Sequence, residues 1–207
     1  MAARKRLRIL VAGFGPFPGA PVNPTSRLVR ALARRPRPAS ERVEVICHVF
    51  STRYRAVDRA LPKLIKQHRP DAMLMFGLAT RSRAIRIEMQ ARNRISHHPD
   101  AGGFTPGPCA IETGAPRVLP VRADPEALLS AAQSAALPAR LSRDAGDYLC
   151  NYTLWRVLRS GEQASGPAFA AFVHVPALSQ RVTIERLIET AEALLPAVIS
   201  SLRHRTR

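Results

Sequence analysis

The feature that most constrains this chain is the rhythm of its short apolar runs. Residues 7–12, 72–76 and 168–175 are almost continuously apolar, each about one strand long, and each is closed by a glycine or a proline. A strand that is apolar on both faces must be covered on both faces, as interior strands of parallel sheets are. Between these runs the apolar period changes to that of a helix. In 24–35, Leu28, Val29, Leu32 and Ala33 share a stripe, and Pro24 stands at the start, where its missing N–H costs nothing. In 54–67 the stripe is Val57, Leu61, Leu64 and Ile65. Residues 43–50 are strand-like, and 84–89 alternate, with Ile85 and Ile87 on one face and Arg86 and Glu88 on the other, as in a half-exposed strand. Residues 124–136 and 150–159 read as helices. Residues 182–203 read as a last amphipathic helix that Pro196 is expected to kink or split. The alternation predicts an α/β chain: a single domain over 1–207, three layers in α/β/α order, with a mostly parallel twisted sheet.

Composition narrows the function classes. At 207 residues and 46% hydrophobic, the chain can bury one sizeable core. Its apolar runs fall well short of the roughly 20 residues a membrane span needs, and the basic start lacks the features of a signal peptide, so a cytoplasmic location and no membrane partner are expected. The net charge of +17 would suit an anionic surface or nucleic acid. However, the excess is carried by arginines scattered along the chain, with only Lys5, Lys63 and Lys66 as lysines, and aromatic residues are 5%. Stacking platforms for nucleic acid are therefore absent from the pattern, and a solvated basic surface is the expected outcome. Cys47, Cys109 and Cys150 are odd in number and widely spaced, which argues against a disulfide framework and against a CxxC metal site. His97 and His98 alone are weak evidence for a metal. The Gly13-Phe14-Gly15 segment has Pro18 at the third glycine position and does not complete a dinucleotide fingerprint.

Sites in parallel sheets form at the carboxyl ends of strands. Four segments fall there: 13–17, 77–79, the stretch before Cys150, and 174–176. Cys150 follows a glycine-containing turn and sits in the first turn of a helix. The unpaired N–H groups and partial positive charge of that helix end favour a thiolate and can bind an oxyanion. A small buried apolar residue would occupy the same place. A nucleophilic cysteine needs a base and a group that orients the base. His174, at the end of an apolar strand, suits the first role. Glu88 could fill the second, although on these residues alone a solvated carboxylate beside Arg86 is the expected reading.

These segments, taken together, resemble the pyroglutamyl peptidase I (pyrrolidone-carboxylate peptidase) family of C15 cysteine peptidases. Its TGFxPFxGxxxNPS-like opening matches Ala12 to Gly19 and Asn23-Pro24-Thr25-Ser26. Its AGxxVCN-like segment matches Ala145 to Asn151, and its FIHIP-like strand end matches Phe172 to Pro176. Counting on from Gly77, Glu88 and Asn93 fall at the Glu and Asn of its ERVAIN-like segment. The resemblance implies an α/β/α fold and a Cys150, His174, Glu88 triad that acts through an acyl-enzyme without metal or cofactor. It implies removal of an N-terminal pyroglutamyl residue from a peptide, with Phe14, Phe17, Tyr148 and Leu149 around the lactam ring. A homo-oligomer stays open. Departures stand beside it. The family's Gln after the third-strand glycine is Leu78, its later Arg falls near His98, and the polar residue expected near the end of the second strand is His48. Two other readings remain at this stage: a cysteine amidohydrolase of the same fold with another acyl group, and a basic nucleic-acid- or anion-binding protein on the same scaffold.

Overall fold

The computed structural model describes residues 6–37, 42–107, 109–135, 137–162 and 166–205. The elements run β1 (Leu7–Phe14), α1 (Pro24–Ala33), β2 (Val43–Phe50), α2 (Tyr54–His68), β3 (Ala72–Leu78), β4 (Ile85–Glu88), β5 (Gln90–Arg92), β6 (Val118–Pro120), α3 (Pro125–Gln133), β7 (Ala139–Ser142), α4 (Leu149–Glu162), β8 (Phe169–Val175) and α5 (Ile184–Arg205). Six strands form one sheet in the order β2-β1-β3-β8-β4-β7, and β5 pairs with β6 in a separate ribbon. The first four of the six are mutually parallel. β4 runs antiparallel to β8, and β7 runs parallel to β4.

Strand alternation divides the core into two clusters. Ile9, Val11, Leu74, Phe76, Ala171, Val173 and Ile87 point to one face, where α1, α3 and α5 pack. Leu10, Ala12, Met73, Met75, Ala170 and Phe172 point to the other, which α2 and α4 cover. This is the expected three-layer α/β arrangement, and the two-residue period also decides which polar residues reach the second face. On β8 that residue is His174, and on β4 they are Arg86 and Glu88.

The structure departs from the sequence reading at three places. β1 and β3 pass through Gly13 and Gly77 rather than stopping there. At Gly13 a Cβ would lie 2.7 Å from the Thr25 carbonyl oxygen, so the glycine is there to let α1 approach the strand. α5 continues through Pro196 as one helix and runs past 203 to Arg205. Leu194, Leu195, Val198 and Leu202 on either side of the proline are all buried, which holds the segment together despite one missing N–H. β4 is not half exposed, since Glu88 has no solvent exposure. Buried Asp100 accepts from the N–H groups of Gly102, Phe104 and Tyr54, and so anchors residues 100–104 to the start of α2.

Candidate active site

The four segments expected at strand ends converge on one cleft of about 500 Å³. Cys150 is the second residue of α4. The helix's first backbone bond runs from Tyr152 N–H to the Tyr148 carbonyl, so the N–H groups before it are not used within the helix. Asn151 is buried and fixes this helix end: its Oδ1 accepts from Arg92 N–H at 2.8 Å, and its Nδ2 donates to the carbonyls of Arg92 and Arg94 at 2.8 and 3.0 Å. The Cys150 sulfur rests on bare backbone. A Cβ on Gly77 would come within 2.7 Å of Sγ, so glycine is required for the thiol to lie against the sheet.

His174 is 5% exposed and pairs in register with Gly77. Its Nδ1 is 2.8 Å from Glu88 Oε1, and it lines the same cleft as Cys150. Burial disfavours the imidazolium. The neighbouring Cys150, and then Glu88, outweigh that effect and raise the His174 pKa to about 9. Glu88 Oε1 also takes Arg86 Nη2 at 3.1 Å, and the guanidinium is held by Ser142 Oγ at 2.8 Å and by the Asp144 carbonyl. Glu88 Oε2 is buried and unpartnered among the described residues. Sequence reasoning missed Arg86, Asn151 and the role of Gly77. The alternation at 85–88 was the available signal for Arg86, because it places Arg86 and Glu88 on one face.

Phe14, Phe17, Tyr148 and Leu149 line the same cleft as Cys150 and His174. Phe14 and Leu149 are buried beneath it. Phe17 and Tyr148 are partly exposed, their ring centroids 5.8 Å apart. Tyr148 donates to the Pro99 carbonyl at 3.0 Å, and burial, then Asp100 and Cys150, push its pKa up to about 12. The turn after β1 is rigid: the Gly15 carbonyl accepts from Asn23 Nδ2 at 3.0 Å and Thr52 Oγ1 at 2.8 Å. Of the departures noted in the sequence, Leu78 lines the cleft. His98 is exposed and outside its lining, and His48 stacks edge-on against Phe50 on β2.

A thiol, an imidazole and a carboxylate linked at the carboxyl edge of an α/β sheet define the class: a cysteine hydrolase site on a doubly covered sheet. The chain belongs to the pyroglutamyl peptidase family, whose model matches residues 7–200. A pyrrolidone-carboxylate peptidase from Thermococcus onnurineus is 32% identical over 176 residues, covering 84% of this chain and 86% of that protein. One from Gloeobacter violaceus is 35% identical over 180 residues, covering 84% of each. A variant pyrrolidone carboxyl peptidase from the hyperthermophile Pyrococcus furiosus superposes with a TM-score of 0.87 at 25% identity, over 95% of this chain and all of that one. Among the described residues no helix is long and apolar enough to cross a membrane.

Proposed function

We propose that this chain removes an N-terminal pyroglutamyl residue from peptides, with Cys150 as nucleophile, His174 as acid and base, and Glu88 as the group that orients His174. The observation that carries this reading is the Glu88–His174 pair, with His174 set beside Cys150 in one aromatic-lined cleft. His174, its pKa raised, takes the Cys150 proton and becomes the imidazolium. The thiolate attacks the pyroglutamyl carbonyl, and unused N–H groups at the start of α4 bind the oxyanion. The imidazolium gives its proton to the leaving amine, and the C–N bond breaks. Neutral His174 then takes a proton from water, which attacks the thioester, releases pyroglutamate and restores the thiol pair. Every proton and bond is accounted for by these side chains and water. Phe17 and Tyr148 hold the flat faces of the lactam, with Phe14 and Leu149 beneath.

The test is release of an aminocoumarin from its pyroglutamyl amide. The reading predicts turnover that a thiol-blocking reagent abolishes. Folded protein that leaves this amide intact but cleaves other cyclic or N-terminal acyl amides would move the activity to a different acyl group.

A further inference from the structure

The sheet register sets the catalytic groups in a row, and the row continues past them. Gly77 on β3 pairs with His174 on β8, His174 with Arg86 on β4, and Arg86 with Arg140 on β7. Residues directly opposite one another point to the same face, so this row runs straight across the catalytic side of the sheet. Cys150 Sγ lies over its first member. Phe17 follows β1, which lies on the other side of β3 from β8 in the strand order β1-β3-β8-β4-β7. On the proposed function, on which this inference rests, the lactam therefore sits toward β1. The leaving amine sits over His174, and the departing peptide runs toward β4 and β7.

That end of the cleft is cationic. Arg86 and Arg140 are cross-strand neighbours, an unfavourable pairing of like charges unless an anion lies between or above them. Arg86 is matched by Glu88 at 3.1 Å. Arg140 and Arg81 both line the cleft and are exposed. The other acid at this end is Asp144, whose Oδ1 is turned to Arg92 at 3.2 Å. We infer that Arg140, assisted by Arg81, forms a subsite for a carboxylate in the first two residues after the pyroglutamyl group. The carboxylate is either an acidic side chain or the C-terminus of a short peptide. The reach is right. Arg140 lies two strand spacings, about 10 Å, beyond His174. Two extended residues span about 7 Å, and the arginine and carboxylate side chains close the remainder.

The experiment compares pyroglutamyl-alanyl-glutamate amide, pyroglutamyl-alanyl-glutamine amide and pyroglutamyl-alanyl-glutamine with a free C-terminus. Pyroglutamate release is measured at low and at high salt. The wild type is expected to favour both anionic peptides over the neutral amide by about fivefold in kcat/KM, the size of a partly exposed charge contact. Added salt should shrink that ratio. Preference for only one anionic peptide identifies the source of the carboxylate. Arg140→Gln should bring the ratio to about one, and Arg140→Lys, which keeps the charge, should retain part of it. A ratio near one in the wild type, or an unaltered ratio in a folded Arg140→Gln protein, overturns the subsite. The neutral amide separates the two claims: its cleavage upholds the peptidase reading whatever the ratios, and failure to cleave any of the three peptides contradicts that reading itself.

Discussion

Glu88 carries two cations on one oxygen. His174 Nδ1 lies 2.8 Å and Arg86 Nη2 3.1 Å from Oε1, inside a fully buried environment. Its charge helps hold the His174 pKa up at about 9. The imidazolium that protonates the leaving amine is therefore present below that value and lost above it. We expect kcat/KM to fall on the alkaline side near pH 9, with the apparent value belonging to the Cys150–His174 pair. Glu88→Gln keeps the shape but removes the charge, so the alkaline limb should move down and kcat should fall by about 100-fold. An unmoved limb in a pH–rate profile would contradict this role. Gly77 has a different role. An alanine there would press on both Cys150 Sγ and the Phe172 ring at 2.7 Å. Gly77→Ala should cost about 1–3 kcal/mol in a denaturant titration and lower activity more than Gly13→Ala, which crowds only α1. The sequence showed Cys150, His174 and Glu88 as candidates because each stood at a predicted element end or on a predicted face. Arg86 looked like a solvated neighbour, since alternation gives the face of a side chain but not what covers that face.

At the scale of elements, the site depends on how α4 is moored. Asn151 makes three hydrogen bonds to the Arg92 and Arg94 backbone, across from the helix end that presents Cys150. Asn151→Ala leaves an N–H and two carbonyls unpaired in a buried place, and should cost about 2–4 kcal/mol by chemical denaturation. Asn151→Asp sets a carboxylate oxygen against the Arg92 and Arg94 carbonyls and should cost at least as much. A stability loss under about 0.5 kcal/mol for the alanine variant, as for an ordinary surface change, would show that the mooring lies elsewhere. Strands β1, β2, β3 and β8 were legible because burial on both faces, or β-branching, writes a continuous apolar run. β5, β6 and β7 were not, being three or four residues long, with a proline ending β6 and no apolar pattern in Ala139–Ser142. The reversed direction of β4 leaves no mark in composition, and with it the alignment of Arg86 and Arg140 beside His174 was out of reach.

At the scale of the whole molecule, one sheet with a core cluster on each face brings residues from β4, α4 and β8 to a single edge. The alternation of element types made that architecture readable, and the order of motifs along the chain carried the family resemblance. The +17 charge was the feature composition left unassigned. Three of its arginines, Arg81, Arg86 and Arg140, line the cleft. The central claim is that this edge hydrolyses pyroglutamyl bonds through the Cys150 sulfur. The most direct measurement is cleavage of a pyroglutamyl amide by the wild type and by Cys150→Ser side by side, with both proteins shown to be folded by circular dichroism. The account predicts turnover by the wild type and a loss of at least about 1,000-fold in the serine variant. Equal rates in the two proteins, or no turnover by folded wild type, would contradict it.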